Sequence, residues 1–66
     1  KLRERAIRMV ELIADASREQ AVAALSEVDF DVKVASLMLI APTDADTAVA
    51  RIAAADGRLR AALEMA

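Results

Sequence analysis

Signals that start and stop helices recur at short intervals along this sequence, and they constrain its fold more than any other feature. Ser17 followed by Gln20 matches a capping box, in which each side chain accepts a hydrogen bond from the other residue's backbone N–H group. Asp31 is a further good N-cap residue. The stretch 17–40 therefore predicts two short helices folded back on each other across a turn at 29–31. Helices this short are unstable alone and have to pack against neighbours.

The second half of the chain carries similar signals. Pro42 disfavours a helical conformation at the residue before it, so the third helix is expected to end there. Thr43 is expected to cap a fourth helix with Asp46 as its capping-box partner, and Gly57 suits the left-handed position that follows a helix. We therefore expect one all-α domain over residues 1–66, a small bundle of about five short helices at about 2–16, 18–28, 32–41, 44–56 and 58–64.

The apolar spacing agrees with this division. The first predicted helix has a broad apolar stripe with a period of 3.6 residues. Its members are Leu2, Ala6, Met9, Ile13 and Ala16, widened by Ile7, Val10 and Ala14. The third predicted helix is apolar around most of its circumference, which is typical of a helix that is central to a bundle or bound at an interface.

A weak internal repeat is also visible. The pattern Ala21-Val22-x-x-Leu25-x-x-Val28-Asp29 aligns with Ala48-Val49-x-x-Ile52-x-x-Ala55-Asp56. After a gap of one residue, Ala35 and Leu37 fall against Ala61 and Leu63. Two helix hairpins of similar design would explain the alignment, and so would the ease with which alanine-rich helices align.

Composition excludes several classes of function. The 66 residues contain neither cysteine nor histidine, which removes the usual general base and most metal ligands, so no metal or cofactor is expected. A net charge of −2 and a single aromatic residue argue against a nucleic-acid partner. The longest apolar run is too short to span a bilayer, and no signal peptide is visible, so we expect a cytoplasmic protein without a membrane partner. A chain that begins on lysine looks like a piece of a longer protein.

Two carboxylate pairs are the first candidates for chemistry. Asp29 with Asp31, or Asp44 with Asp46, could act as acid and base or bind a divalent cation. Both pairs lie where helices are expected to start, and the calcium-loop spacing is absent. Helix capping explains them without catalysis, so no catalytic residue is predicted.

Basic and aromatic residues leave further alternatives. Lys1, Arg3, Arg5 and Arg8 could form an anion-binding end, although a solvated helix face is the simpler interpretation. The segment 57–60, Gly-Arg-Leu-Arg, could receive a phosphate on backbone N–H groups, or it could be a helix end with solvated arginines. Phe30 could be an exposed recognition residue or a plug for the core.

Four segments together resemble a known family. Residues 17–39 look like a ubiquitin-associated-type helix pair. The whole chain is more specifically similar to the C-terminal helical domain of bacterial N-acetylmuramic acid 6-phosphate etherases. The matching segments are Lys1-Leu2-Arg3-Glu4-Arg5-Ala6, Val32-Lys33-Val34-Ala35-Ser36-Leu37-Met38-Leu39, Asp44-Ala45-Asp46-Thr47-Ala48 and Gly57-Arg58-Leu59-Arg60-Ala61-Ala62-Leu63.

The resemblance implies a homodimeric, cytoplasmic lyase that removes the D-lactyl ether of N-acetylmuramic acid 6-phosphate during peptidoglycan recycling. Its catalytic groups would lie in a preceding sugar-isomerase-type domain that this chain lacks, so the chain alone is expected to be inactive. The implied partners are that domain and a second subunit.

The resemblance also suggests residue roles. Lys1 would approach the sugar-phosphate site of the other subunit, as a point charge suited to phosphate. The broad apolar face of the first helix, represented by Ile7 and Val10, and Met38 would form contact surfaces. The alternative is a free-standing ubiquitin-associated-like interaction module without catalytic activity.

Overall fold

The computed structural model describes residues 2–64, which form five helices. Their bounds are α1 Leu2–Ala14, α2 Arg18–Glu27, α3 Val32–Ile40, α4 Ala45–Ala54 and α5 Leu59–Leu63. The described part of the chain contains no strand. The predicted all-α bundle of five short helices is therefore confirmed.

The helix starts at α2 and α3 form as their sequences predict. The Gln20 N–H donates to Ser17 Oγ at 3.1 Å, and the Ser17 N–H donates to Gln20 Oε1 at 3.0 Å, which completes the capping box. Asp31 Oδ1 accepts a hydrogen bond from the Val34 N–H at 3.2 Å. These short-range bonds satisfy backbone donors that would otherwise lack a partner at each helix start.

The predicted cap of α4 is wrong by one residue. Asp44, and not Thr43, is the N-cap, and its Oδ1 accepts from the Thr47 N–H at 2.7 Å. A carboxylate is both a strong acceptor and a favourable negative charge at the positive end of a helix, and a threonine hydroxyl supplies only the first of these. Asp46 lies in the first turn, where its charge is also favourable.

The predicted helices extend one or two residues beyond the observed C-terminal ends, most clearly at α1. This helix ends at Ala14 because Asp15 takes a left-handed conformation with φ of 51°. The Ala16 N–H then donates back to the Glu11 carbonyl at 3.1 Å. A left-handed residue followed by such a bond ends a helix, and aspartate is one of the few residues other than glycine that tolerate it.

The internal repeat is present in the backbone geometry of two turns. After α2 both Asp29 and Phe30 are left-handed, with φ of 53° and 60°, and after α4 Asp56 and Gly57 have φ of 59° and 78°. In both turns the second left-handed residue donates its N–H to a helix carbonyl, from Phe30 to Leu25 at 2.8 Å and from Gly57 to Ile52 at 2.8 Å. Helices α2 to α5 therefore form two helix hairpins, α2–α3 and α4–α5, with the same turn.

The register of this repeat corrects the predicted gap. The offset that aligns Ala21 with Ala48 continues unchanged through the turn and aligns Ala35 with Ala62, not with Ala61. All four of the alanines aligned in this way are fully buried. Each hairpin thus places one buried methyl group from each of its two helices in the same core cluster.

Helix α3 is central to the bundle, which decides between the two interpretations of its apolar surface. A first core cluster lies on one side of it, formed by Ala6, Ile7, Val10, Ala21, Ala24, Leu25 and Ala35. A second cluster lies on the other side, formed by Val34, Leu37, Ala48, Ile52 and Ala62. Because α3 contributes side chains to both clusters, it joins α1 and α2 to the α4–α5 hairpin.

Candidate functional site

The carboxylate pairs act as helix caps in the structure. Asp31 and Asp44 each accept a backbone hydrogen bond at a helix start, while Asp29 and Asp46 are exposed beside them. Among residues 2–64, no group of three or more acidic side chains is arranged to hold a metal ion. Hydrogen bonds from Thr47, through its side chain and its backbone N–H, lower the pKa of Asp44. A carboxylate held ionised in this way suits capping and is a poor proton donor at neutral pH.

Two backbone N–H groups of the segment 57–60 are already bonded within the chain, which weakens the phosphate-binding alternative. The Gly57 N–H donates to the Ile52 carbonyl at 2.8 Å, and the Arg58 N–H donates to the Ala55 carbonyl at 3.2 Å. Lys33 Nζ donates to the Gly57 carbonyl at 2.7 Å. Both N–H groups are thus occupied by the end of α4, which favours the alternative of a helix end with solvated arginines.

The basic residues of α1 have neighbours that weaken the anion-site interpretation. Arg18 on α2 pairs with Glu4 at 2.6 Å, and this hydrogen bond lowers the pKa of Glu4 and raises that of Arg18. The Arg3 guanidinium lies 5.0 Å from the centre of the Phe30 ring, within the range of a cation–π contact. Acids and bases alternate on this surface, which is typical of a solvated helix face. Lys1 lies outside the described residues, and its predicted phosphate contact stays a prediction.

Phe30 behaves as a plug and not as an exposed recognition residue. Its half-buried ring packs against the first core cluster while its backbone is left-handed. A bulky residue in this conformation is unfavourable by itself. The ring contacts and the Arg3 guanidinium compensate for that strain.

The two residues of α1 that were predicted to contact a partner are not the ones that the structure leaves exposed. Ile7 is 5% exposed and Val10 is fully buried, so both side chains are already covered within the chain. The exposed apolar side chains of α1 are instead Leu2 at 80%, Met9 at 44%, Leu12 at 78% and Ile13 at 43%. We call these four residues the outer face of α1. Met38 is half-buried against the second core cluster, and its predicted partner contact stays a prediction.

Most residues of the outer face of α1 could be identified from the sequence. Leu2, Met9 and Ile13 belong to the predicted apolar stripe, of which the bundle covers only one side. Leu12 was missed because it lies outside that stripe, beside Arg5 and Arg8 on a shallow groove. An exposed leucine within a polar surface is ordinary when single, whereas next to three other exposed apolar side chains it extends a patch.

A second groove lies between the α2–α3 turn and α4, and we call it the acidic groove. Its apolar lining includes Val28, Val34, Val49 and Ile52. Its acidic lining consists of Glu27, Asp29, Asp31 and Asp46, all exposed. The sequence placed these residues at helix ends but gave no indication that a groove would bring α4 beside them.

The fold and these surfaces define a small all-α module whose notable features are an uncovered apolar helix face and an acidic groove. The described residues offer carboxylates as caps and no catalytic constellation. None of the helices in residues 2–64 is long and apolar enough to cross a membrane.

Comparison with known proteins gives this module a specific context. The chain is 53% identical over 64 residues to an N-acetylmuramic acid 6-phosphate etherase of Enterobacter sp. (strain 638). The match covers 97% of the chain and 22% of that protein. It is 47% identical over 64 residues to a protein of the same name from Cronobacter sakazakii, with the same coverage. It is 49% identical over 63 residues to one from Serratia proteamaculans, covering 96% of the chain and 21% of the relative.

These matches confirm the resemblance predicted from the four sequence segments. The chain spans about a fifth of the length of the curated relatives it matches, so it corresponds to a small part of such a protein. No protein-family model and no solved structure gives a significant match.

Proposed function

We propose that this chain is the C-terminal accessory domain of an N-acetylmuramic acid 6-phosphate etherase. The observation that carries the proposal is identity of 53% across 97% of the chain to a protein of that name, of which the match covers 22%. The whole protein would be a cytoplasmic lyase of peptidoglycan recycling that releases D-lactate from N-acetylmuramic acid 6-phosphate. The catalytic groups would lie in the remainder of that protein, because Asp31 and Asp44 act as helix caps and Glu4 is paired with Arg18.

The outer face of α1 supports a docking role for the domain. Its four large apolar side chains are between 43% and 80% exposed on a helix whose other side is buried in the core. Covering such side chains stabilises an interface by about 25 cal/mol for each Å² of apolar surface removed from water. We assign this face to contact with the rest of the etherase, either within one subunit or across a dimer. Lys1, which directly precedes α1 in the sequence, would lie at that contact.

The test is an assay of the full-length protein that carries this chain. Intact protein and a version lacking residues 1–66 are incubated with N-acetylmuramic acid 6-phosphate, and D-lactate release is measured. We expect release from the intact protein and a loss of at least tenfold on deletion. An intact, folded protein that releases no D-lactate would exclude the etherase assignment and leave a ubiquitin-associated-like interaction module as the alternative.

A pair of point variants separates the docking role from simple loss of the domain. Leu12→Ser removes an exposed apolar side chain from the outer face, and Ile40→Ser removes one that is 40% exposed at the end of α3, outside both grooves. If the outer face is the docking surface, Leu12→Ser lowers activity or shifts the sedimentation coefficient towards monomer, while Ile40→Ser leaves both unchanged. Equal effects of the two variants would contradict a docking role for α1.

A further inference from the structure

The acidic groove has an apolar lining that remains partly open to solvent. Val34 and Ile52 are 3% and 9% exposed and belong to the second core cluster, whereas Val49 beside them on α4 is 51% exposed. A partner side chain placed in the groove would therefore cover Val49 without disturbing the core. This surface is distinct from the outer face of α1, since the two have no lining residue in common.

Four carboxylates and no basic side chain line this groove. The Arg18–Glu4 pair, the ion pair recorded within residues 2–64, lies on α1 and α2 away from it. Lys33 is the basic residue that contacts the groove lining, and its ammonium is bonded to the Gly57 carbonyl. The groove therefore has four carboxylates in its lining and the ammonium of Lys33 at its edge, which leaves an excess of negative charge.

Stabilisation of helix starts explains only some of the four carboxylates. Asp31 caps α3 and Asp46 lies in the first turn of α4, where negative charge is favourable. Glu27 is in the last turn of α2 and Asp29 follows it, and this turn contains no basic residue. Negative charge at the C-terminal end of a helix is unfavourable. Asp29 is left-handed, a conformation that aspartate tolerates better than most residues, so Glu27 is the carboxylate that lacks a local explanation.

The internal repeat shows that the turn itself does not require a carboxylate at the position of Glu27 or of Asp31. At the positions of the second hairpin equivalent to Glu27 and Asp31, the chain has Ala54 and Arg58. The second turn nevertheless has the same backbone geometry. Glu27 is thus not required by the hairpin, whereas Asp29 is matched by Asp56 in the second turn and Asp31 caps α3.

We propose that the acidic groove binds a basic amphipathic segment of another polypeptide, with an apolar side chain against Val49 and lysine or arginine side chains against the four carboxylates. Complementary charge of this kind speeds association and selects among partners, and the apolar contact supplies binding energy. The proposal is independent of the etherase assignment, because it depends on the groove alone.

The test uses the 66-residue chain and a synthetic helical peptide with a leucine face flanked by lysines, labelled for fluorescence anisotropy. The groove variant is Glu27→Gln, Asp29→Asn and Asp46→Asn together, which keeps side-chain size and leaves the Asp31 cap in place. The matched control is Glu11→Gln, Asp15→Asn and Glu19→Gln, which removes the same charge outside the groove. Helical circular dichroism is recorded for both, and the single variants Glu27→Gln and Asp46→Asn replace the triple variant if its signal is reduced.

We expect the groove variant to bind the peptide about tenfold more weakly than the unaltered chain, which is what three surface ion pairs of ordinary strength provide together. The control variant should bind within about twofold of the unaltered chain, and added salt should weaken binding to both. Amide NMR shifts on titration should concentrate at Val34, Val49 and Gly57. Equal weakening in the two variants, shifts that map to α1, or shifts at the groove on concentrating the chain without peptide would each overturn the proposal, the last in favour of a second copy as occupant.

Discussion

Truncation of Leu25 tests the first core cluster, and truncation of Leu12 provides a control with the same chemical change. Leu25 is fully buried among side chains of which four are alanine: Ala6, Ala21, Ala24 and Ala35. Leu12 is 78% exposed on the outer face of α1. Leu25→Ala therefore leaves a void inside the bundle, whereas Leu12→Ala removes a side chain that is mostly in water.

The expected magnitude follows from what surrounds the void. Replacing a buried leucine by alanine lowers the free energy of unfolding by about 2 to 5 kcal/mol, and the loss is largest where neighbours cannot move into the space. Methyl groups of alanine cannot extend to fill it, so we expect about 3 to 4 kcal/mol for Leu25→Ala. A domain of this size has roughly 3 to 10 kcal/mol of stability in total, so the variant would lose a large part of it. Leu12→Ala should change stability by less than about 0.5 kcal/mol.

The assay is urea denaturation followed by far-ultraviolet circular dichroism. With a slope of about 1 kcal/mol per molar urea for a small domain, the midpoint of Leu25→Ala should fall by about 3 M while that of Leu12→Ala stays in place. The reasoning is refuted if the two variants shift the midpoint equally, or if Leu25→Ala costs less than about 1 kcal/mol.

Three further predictions concern the second hairpin. Asp44→Ala should lower the melting temperature clearly more than Thr43→Ala, because Asp44 makes the cap of α4 and Thr43 does not; equal effects would argue against the observed cap. The fold lowers the pKa of Asp44 below its usual 3.8, so this carboxylate stabilises the folded state above about pH 4, and its contribution is lost as the pH falls through the still lower pKa of the folded state. Unfolding curves measured as a function of pH should therefore show a stability difference between the unaltered chain and Asp44→Asn that is constant near neutral pH and shrinks in acid; a difference independent of pH would contradict this. Gly57→Ala should lower the free energy of unfolding by about 1 kcal/mol, because Gly57 has φ of 78° while nothing lies within 4 Å of an added Cβ atom, so that backbone strain alone determines the cost measured by urea denaturation; an unchanged midpoint would show that the turn relaxes.

The features that could be predicted from the sequence are those set by residues close together in the chain. The capping box of Ser17 and Gln20 involves residues three apart, and the Asp31 cap is equally local, so both formed as expected. The α4 cap was misplaced because Thr43 and Asp44 are adjacent and both are good caps, and propensity alone does not separate them. Local rules thus gave the number and order of the helices and left their ends uncertain by a residue or two.

The surfaces depend on tertiary packing, and there the sequence was less informative. Its broad apolar stripe on α1 was real, but only the bundle decides that Val10 is covered and Leu2 is not. An apolar residue on a helix can face the core of its own domain or a partner, and periodicity is the same in both cases. The acidic groove required knowledge that α4 packs beside the α2–α3 turn, which no local pattern contains.

The internal repeat offers a physical criterion for separating residues kept for the fold from residues that serve a surface. Positions that hold the same kind of side chain in both hairpins, such as the buried pair Ala21 and Ala48, are explained by the core packing that each hairpin requires. Positions that differ while the backbone stays the same are free of that requirement. Phe30 differs from Gly57 in this way, although its left-handed backbone would be less strained with glycine, and its ring covers the first core cluster beneath Arg3. Glu27 differs from Ala54 without any such packing gain, and so its charge is best explained by what it meets outside the chain.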